Sequence, residues 1–272
     1  VGGNMAVWYL CGLVNELAQS FRVTVYDLRG HGYSDTPLDG YTSKTMAEDL
    51  YALTKALDVR KPYLLGHSYG ATIAMHMADL YPSEVSGIVL SDAYFPGLVD
   101  VQGATGRWPG WEAYKSVARF IGIEVSDEWD NLDDLFRQAA NLSPEQREMF
   151  IDVAGEPMLK RLVRLAPTSC GHDVGQAAGL TRDRILSVPH PVVCLFGENS
   201  PFQPLCQFLA KNCARGSRVT VPDAEHFAFE ENPAEFVRLA TEAFCQMAQV
   251  TPTAAKSSGN SHRRRETLFT QK

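Results

Sequence analysis

Gly66-His67-Ser68-Tyr69-Gly70 carries the clearest chemistry in the chain. It follows the short apolar run Pro62-Tyr63-Leu64-Leu65, which reads as a buried strand. It precedes Ala71 to Ala78, which reads as a helix. G-x-S-x-G between strand and helix makes a nucleophile elbow: a strained turn lifts the Ser68 hydroxyl out of the sheet and aims a helix N-terminus at the reacting group. Serine at its own pKa is a poor nucleophile, so it needs a base within hydrogen-bond reach and an acid behind that base. Of seven histidines, His226 has the position for the base. It lies in Pro222-Asp223-Ala224-Glu225-His226-Phe227, after a strand ending at Val221, on the same carboxyl edge of the sheet as Ser68. His31 and His67 lie beside glycines in tight loops, His76 in a helix, His172 and His190 in or beside an inserted block, and His262 in the tail. These read as structural or solvated. No H-E-x-x-H spacing suggests a metal, and the serine chemistry needs neither a metal nor an organic cofactor.

The flanking elements must hold these groups. Leu10, Leu13, Val14 and Leu17 predict an amphipathic helix, and Phe21 to Tyr26 a strand. Met46, Leu50, Leu53 and Leu57 share one helix face, with Thr42 or Ser43 as cap. Val85 to Ser91 is a strand ending at Asp92, and further strands cover Val192 to Phe196 and Arg218 to Val221. A last amphipathic helix begins at Pro233. Alternation of strands and helices implies an α/β fold: a mostly parallel sheet flanked by helices. Residues 1–94 and 185–250 read as the core. Residues 95–184, helical and rich in aromatics, read as an inserted helical cap over the strand ends. Residues 251–272 lack apolar periodicity and read as a disordered tail.

Composition narrows the function. Of 272 residues, 45% are hydrophobic and 21% charged, as in a soluble globular protein. The net charge is −7, and the tail sets Lys256, Arg263, Arg264, Arg265 and Lys272 against Glu266, so the body is more acidic still. An acidic body argues against nucleic acid or an anionic membrane as the main partner. The six cysteines form no C-x-x-C pair and read as free thiols of a reducing, cytoplasmic compartment. No apolar run approaches the ~18 residues of a membrane span, and no signal peptide is visible. Trp108, Trp111 and Trp129 of the cap could line an apolar pocket, although packing between cap helices is the stronger account of them.

With these motifs together the chain resembles the α/β-hydrolase superfamily, in its capped small-molecule esterase and peroxidase-like branch. Asp27-Leu28-Arg29-Gly30-His31-Gly32-Tyr33-Ser34-Asp35 is similar to the family's D-x-R-G-x-G-x-S loop. Gly66 to Gly70 is similar to its elbow, Val193 to Gly197 to the strand before its acid loop, and Ala224 to Phe227 to its histidine loop. The resemblance implies a serine hydrolase acting on a carboxylic ester, lactone or thioester. The alternatives are a ligand-binding or pseudoenzyme member of the fold, or a cofactor-free perhydrolase or C–C hydrolase. It also exposes two departures. The family's usual acid place, three residues after Gly197, holds Ser200, which cannot stabilise an imidazolium by charge. Some members take the acid from the strand end after the elbow helix, so Asp92 is the favoured acid and Glu198 the alternative; Asp223 is too close along His226's own loop. The resemblance further places the oxyanion-hole donors at Tyr69 and Val1. Val1 follows a missing strand, so the sequence reads as truncated, with an open sheet edge and reduced stability.

Overall fold

Apolar strands that alternate between two buried faces build the centre of the molecule. In this computed structural model, residues 3–101, 110–123, 125, 132–249 and 265–270 are described. Six parallel strands form one sheet: β1 (Phe21–Val25), β2 (Tyr63–His67), β3 (Gly87–Ser91), β4 (Val192–Gly197), β5 (Gly216–Val221) and β6 (Arg265–Thr270). Their spatial order is β1-β6-β2-β3-β4-β5. Leu65 pairs with Val89 and Val89 with Val193, so one register runs across the centre.

Before β3 the helices are α1 (Ala6–Leu10), α2 (Leu13–Leu17), α3 (Ser43–Ala56) and α4 (Tyr69–Leu80). Between β3 and β4 come α5 (Gly110–Phe120), α6 (Leu132–Ala140), α7 (Pro144–Ala154), α8 (Glu156–Leu165), α9 (Cys170–Asp173) and α10 (Arg182–Ser187). After β4 come α11 (Gln203–Asn212), α12 (Ala228–Glu231) and α13 (Pro233–Ala248). Leu64, Ile88, Val192 and Cys194 pack with Met46, Leu50, Ile73 and Leu205 of α3, α4 and α11. Leu65, Val89, Val193 and Leu195 point into the opposite layer, with Trp8, Leu13, Phe236 and Phe244 of α1, α2 and α13. Two covered faces are what a parallel sheet requires. Leu159, Leu162 and Leu165 of α8 join the first layer, so this inserted helix shares the core of the sheet. Among the described residues no helix is long and apolar enough to cross a membrane.

Three expectations are corrected. The helix over Leu10–Leu17 is two short helices, because Gly12 between them takes the left-handed conformation at φ 86°; Leu10 ends the first and is 85% exposed. On α3 the cap is Thr42, whose side chain accepts from the Thr45 N–H, while Leu57 falls past the last turn and is exposed. The tail is not wholly without structure. Arg265–Thr270 forms β6, parallel to β1 on one side and to β2 on the other. It therefore lies between β1 and β2. Thr267, Leu268, Phe269 and Thr270 are β-branched or bulky residues that suit an extended chain, and the basic residues before them mask that signal in composition. Residues 251–264 lie outside the described part, as do Val1, Trp108 and Trp129 and the side chain of Trp111.

Candidate active site

The elbow is built from the end of β2 and the start of α4. Ser68 sits between them at φ 52° and ψ −119°, a conformation that costs about 1–3 kcal/mol for a residue with a side chain. The turn is held by the Ser68 N–H donating to Ser91 O at 2.9 Å and the Ala71 N–H donating to Ser68 O at 3.1 Å. A Cβ on Gly66 would lie 2.2 Å from Gly70 O, so the first glycine of the motif is a steric necessity. Ser68 is half-buried while its neighbours His67 and Tyr69 are buried. Tyr69 opens α4, where a backbone N–H has no intrahelical acceptor and remains available to an oxyanion. Its hydroxyl donates to Tyr41 O at 3.0 Å, which fixes the first turn.

His226 is buried after β5, and its ring packs on His67 at 4.7 Å between centroids, with Phe202 and Phe227 around it. Its Nδ1 lies 3.7 Å from Asp92 Oδ1. That separation is within ion-pair range and longer than a hydrogen bond. Asp92 follows β3, is fully buried and has φ 40°. Its Oδ2 accepts from the Gly197 N–H at 2.9 Å, and its Oδ1 accepts from the Ser200 hydroxyl. Burial pushes the Asp92 carboxyl above the usual carboxylate range, opposed by His226, Ser200 and Gly197. Glu198, the alternative acid, is exposed and accepts from the Asp223 N–H at 3.2 Å.

In the sequence Asp27 stands only as the first residue of the glycine-loop motif. Its Oδ1 accepts from the Met5 N–H at 2.7 Å and its Oδ2 from the Tyr33 N–H at 2.9 Å. One carboxylate thus ties the N-terminal loop to the glycine loop after β1. A Cβ on Gly32, at φ 50°, would lie 2.0 Å from Asp27 Oδ2, so this contact also explains the glycine. The other buried histidines have structural partners. His31 Nδ1 meets Arg29 O at 2.9 Å and His76 Nδ1 meets Ser43 Oγ at 3.0 Å; burial pushes both rings down to about 4.

Comparison with known proteins agrees with this architecture. Residues 1–233 match the family described as alpha/beta hydrolase fold. The chain is 27% identical over 226 residues to the AB hydrolase superfamily protein YisY of Bacillus subtilis (strain 168), covering 80% of each chain. It is 42% identical to the non-heme chloroperoxidase of Streptomyces lividans over 84 residues, 30% of each. A thermophilic esterase from Thermogutta terrifontis, solved with malate bound, superposes with a TM-score of 0.62 at 21% identity. That superposition covers 90% of this chain and 86% of the esterase.

Proposed function

The chain belongs to the alpha/beta hydrolase fold family, and on that premise we propose that this α/β-hydrolase cleaves a carboxylic ester, lactone or thioester through an acyl-enzyme on Ser68. The observation that carries this reading is the buried Asp92 carboxylate 3.7 Å from His226 Nδ1, in a chain that also holds Ser68 at a strained strand-to-helix turn. His226 takes the Ser68 proton as Oγ attacks the carbonyl carbon. The developing oxyanion receives the Tyr69 N–H, with Val1 as the second donor that the family resemblance implies. His226 then protonates the leaving group, and water activated by the same imidazole releases the acid. Asp92 stabilises the imidazolium formed in both steps and is preferred over Glu198, whose carboxylate turns to the Asp223 amide.

A fluorophosphonate probe tests the proposal. The wild-type protein is expected to label and the Ser68→Ala variant to stay unlabelled. A folded protein that neither labels nor turns over p-nitrophenyl esters of several chain lengths would remove it. The chloroperoxidase relative favours one second reading, in which hydrogen peroxide opens the same acyl-enzyme to give a peracid. Peracid release from acetate and peroxide checks that reading.

A further inference from the structure

Ser200 occupies the place where the family's usual acid would stand, yet it faces the same histidine environment through Asp92. Its hydroxyl donates to Asp92 Oδ1, the oxygen that lies 3.7 Å from His226 Nδ1. The hydroxyl is itself fixed, because its oxygen accepts from the Phe202 N–H at 3.1 Å. That leaves its single proton directed to the carboxylate. The Ser200 N–H donates to Gly197 O at 3.1 Å, and the Gly197 N–H donates to Asp92 Oδ2. The end of β4 therefore presents two donors, one to each oxygen of a carboxylate that belongs to β3. We propose that Ser200 is a positioning residue: with Gly197 it aims Asp92 Oδ1 at His226 and keeps the buried carboxylate ionised, so the acid function is divided between two strand ends. This rests on the serine-hydrolase reading for its kinetic consequence, but the geometry of the resting protein can be read without turnover.

Two opposing effects act on the Asp92 carboxylate. A fully buried carboxylate is costly to ionise unless donors compensate. Asp92 faces the Gly197 amide and the Ser200 hydroxyl from the end of β4 and His226 from the loop after β5, with His67 at the end of β2 packed behind the imidazole. His226 is the titratable group among these that meets the carboxylate, and Glu198 is engaged by the Asp223 amide instead. Removal of one donor of two shifts the balance toward the neutral acid, which cannot hold an imidazolium. It also frees the carboxyl to rotate about its remaining bond to Gly197.

Three variants separate the hydroxyl from the space it fills. Ser200→Ala removes the donor, Ser200→Thr keeps it, and Ser200→Val matches threonine in shape without it. With p-nitrophenyl acetate, Ser200→Ala and Ser200→Val are expected to lose about tenfold or more in kcat, the range set by hydrogen bonds to charged groups. KM should stay near wild type, and the acid limb of the rate profile should move to higher pH. Ser200→Thr should recover kcat and the limb over Ser200→Val, which rules out a packing defect. In the resting protein, the downfield Nδ1 proton resonance of His226 should be present in wild type and Ser200→Thr and move upfield in Ser200→Ala. Wild-type kcat, acid limb and resonance in Ser200→Ala would overturn the proposal, as would equal losses in the threonine and valine variants. Absence of turnover in the wild type strikes the serine-hydrolase reading alone, because the resonance still reports whether Ser200 sets the Asp92–His226 pair.

Discussion

At the scale of single residues, the candidate site holds a fully buried carboxylate, Asp92. Burial raises the Asp92 pKa above its usual 3.8 against the pull of His226, Ser200 and Gly197. A carboxyl with a raised native pKa favours the folded state in its neutral form. Its penalty is absent well below pH 3.8 and appears as pH rises through the native value. Asp92→Asn is therefore expected to lower kcat by about 10⁴ while raising the thermal midpoint at neutral pH, with the gap in midpoint closing as pH falls. Glu198→Gln should leave kcat near wild type. Parallel melts and ester assays of the two variants from pH 3.5 to 8 check both statements, and near-normal turnover by Asp92→Asn would exclude it as the acid. Ser68 and Asp92 both sit at positive φ, a strained conformation for residues that carry a side chain.

At the scale of elements, the inserted helices are fastened to the sheet loops by apolar packing and by polar contacts, among which Arg164 makes three. Arg164 of α8 donates to Thr36 Oγ1 at 2.6 Å, to Gly32 O at 2.7 Å and to Ser34 O at 2.5 Å. One guanidinium therefore holds the helix against the same glycine loop that Asp27 ties to the N-terminal segment. The apolar face of α8 supplies adhesion through Leu159, Leu162 and Leu165, and Arg164 supplies registration. Arg164→Ala is expected to cost about 2 kcal/mol. It should also make the segment between β3 and β4 the first to be cut in limited proteolysis. Cleavage that begins elsewhere, at a wild-type rate, would show that the apolar contacts suffice. The element pattern itself was largely legible: β2, β3 and β4 are short apolar runs, and α13 begins at Pro233, as local propensity and periodicity predict. What periodicity could not see was Gly12, which breaks one apparent helix into α1 and α2 through its backbone freedom.

At the scale of the whole molecule, the sheet depends on its last strand. Among the described residues β1 reaches β2 through β6, with Thr24 and Leu64 both in register with Leu268. Without β6 the described sheet would lose its connection to β1, and with it the support for the loop that carries Asp27 and Gly32. A proline in β6 removes a ladder donor between two strands. Leu268→Pro is expected to cost about 2 kcal/mol, a fall of roughly 5 °C in midpoint, and unchanged melting would show that β6 does not bear on the sheet. The sequence by itself determined the elbow, the histidine loop and the α/β class, because each rests on contacts between residues near in the chain: Gly66 against Gly70, a strand beside its own helix. Only the tertiary structure decided which carboxylate faces His226 and what lies between β1 and β2. Gly197 and Ser200 meet Asp92 across separations of 105 and 108 residues, and β6 enters the sheet from the far end of the chain. Pairings of that length are set by which backbone donors and strand edges the folded core leaves to be satisfied, a property that no local pattern carries.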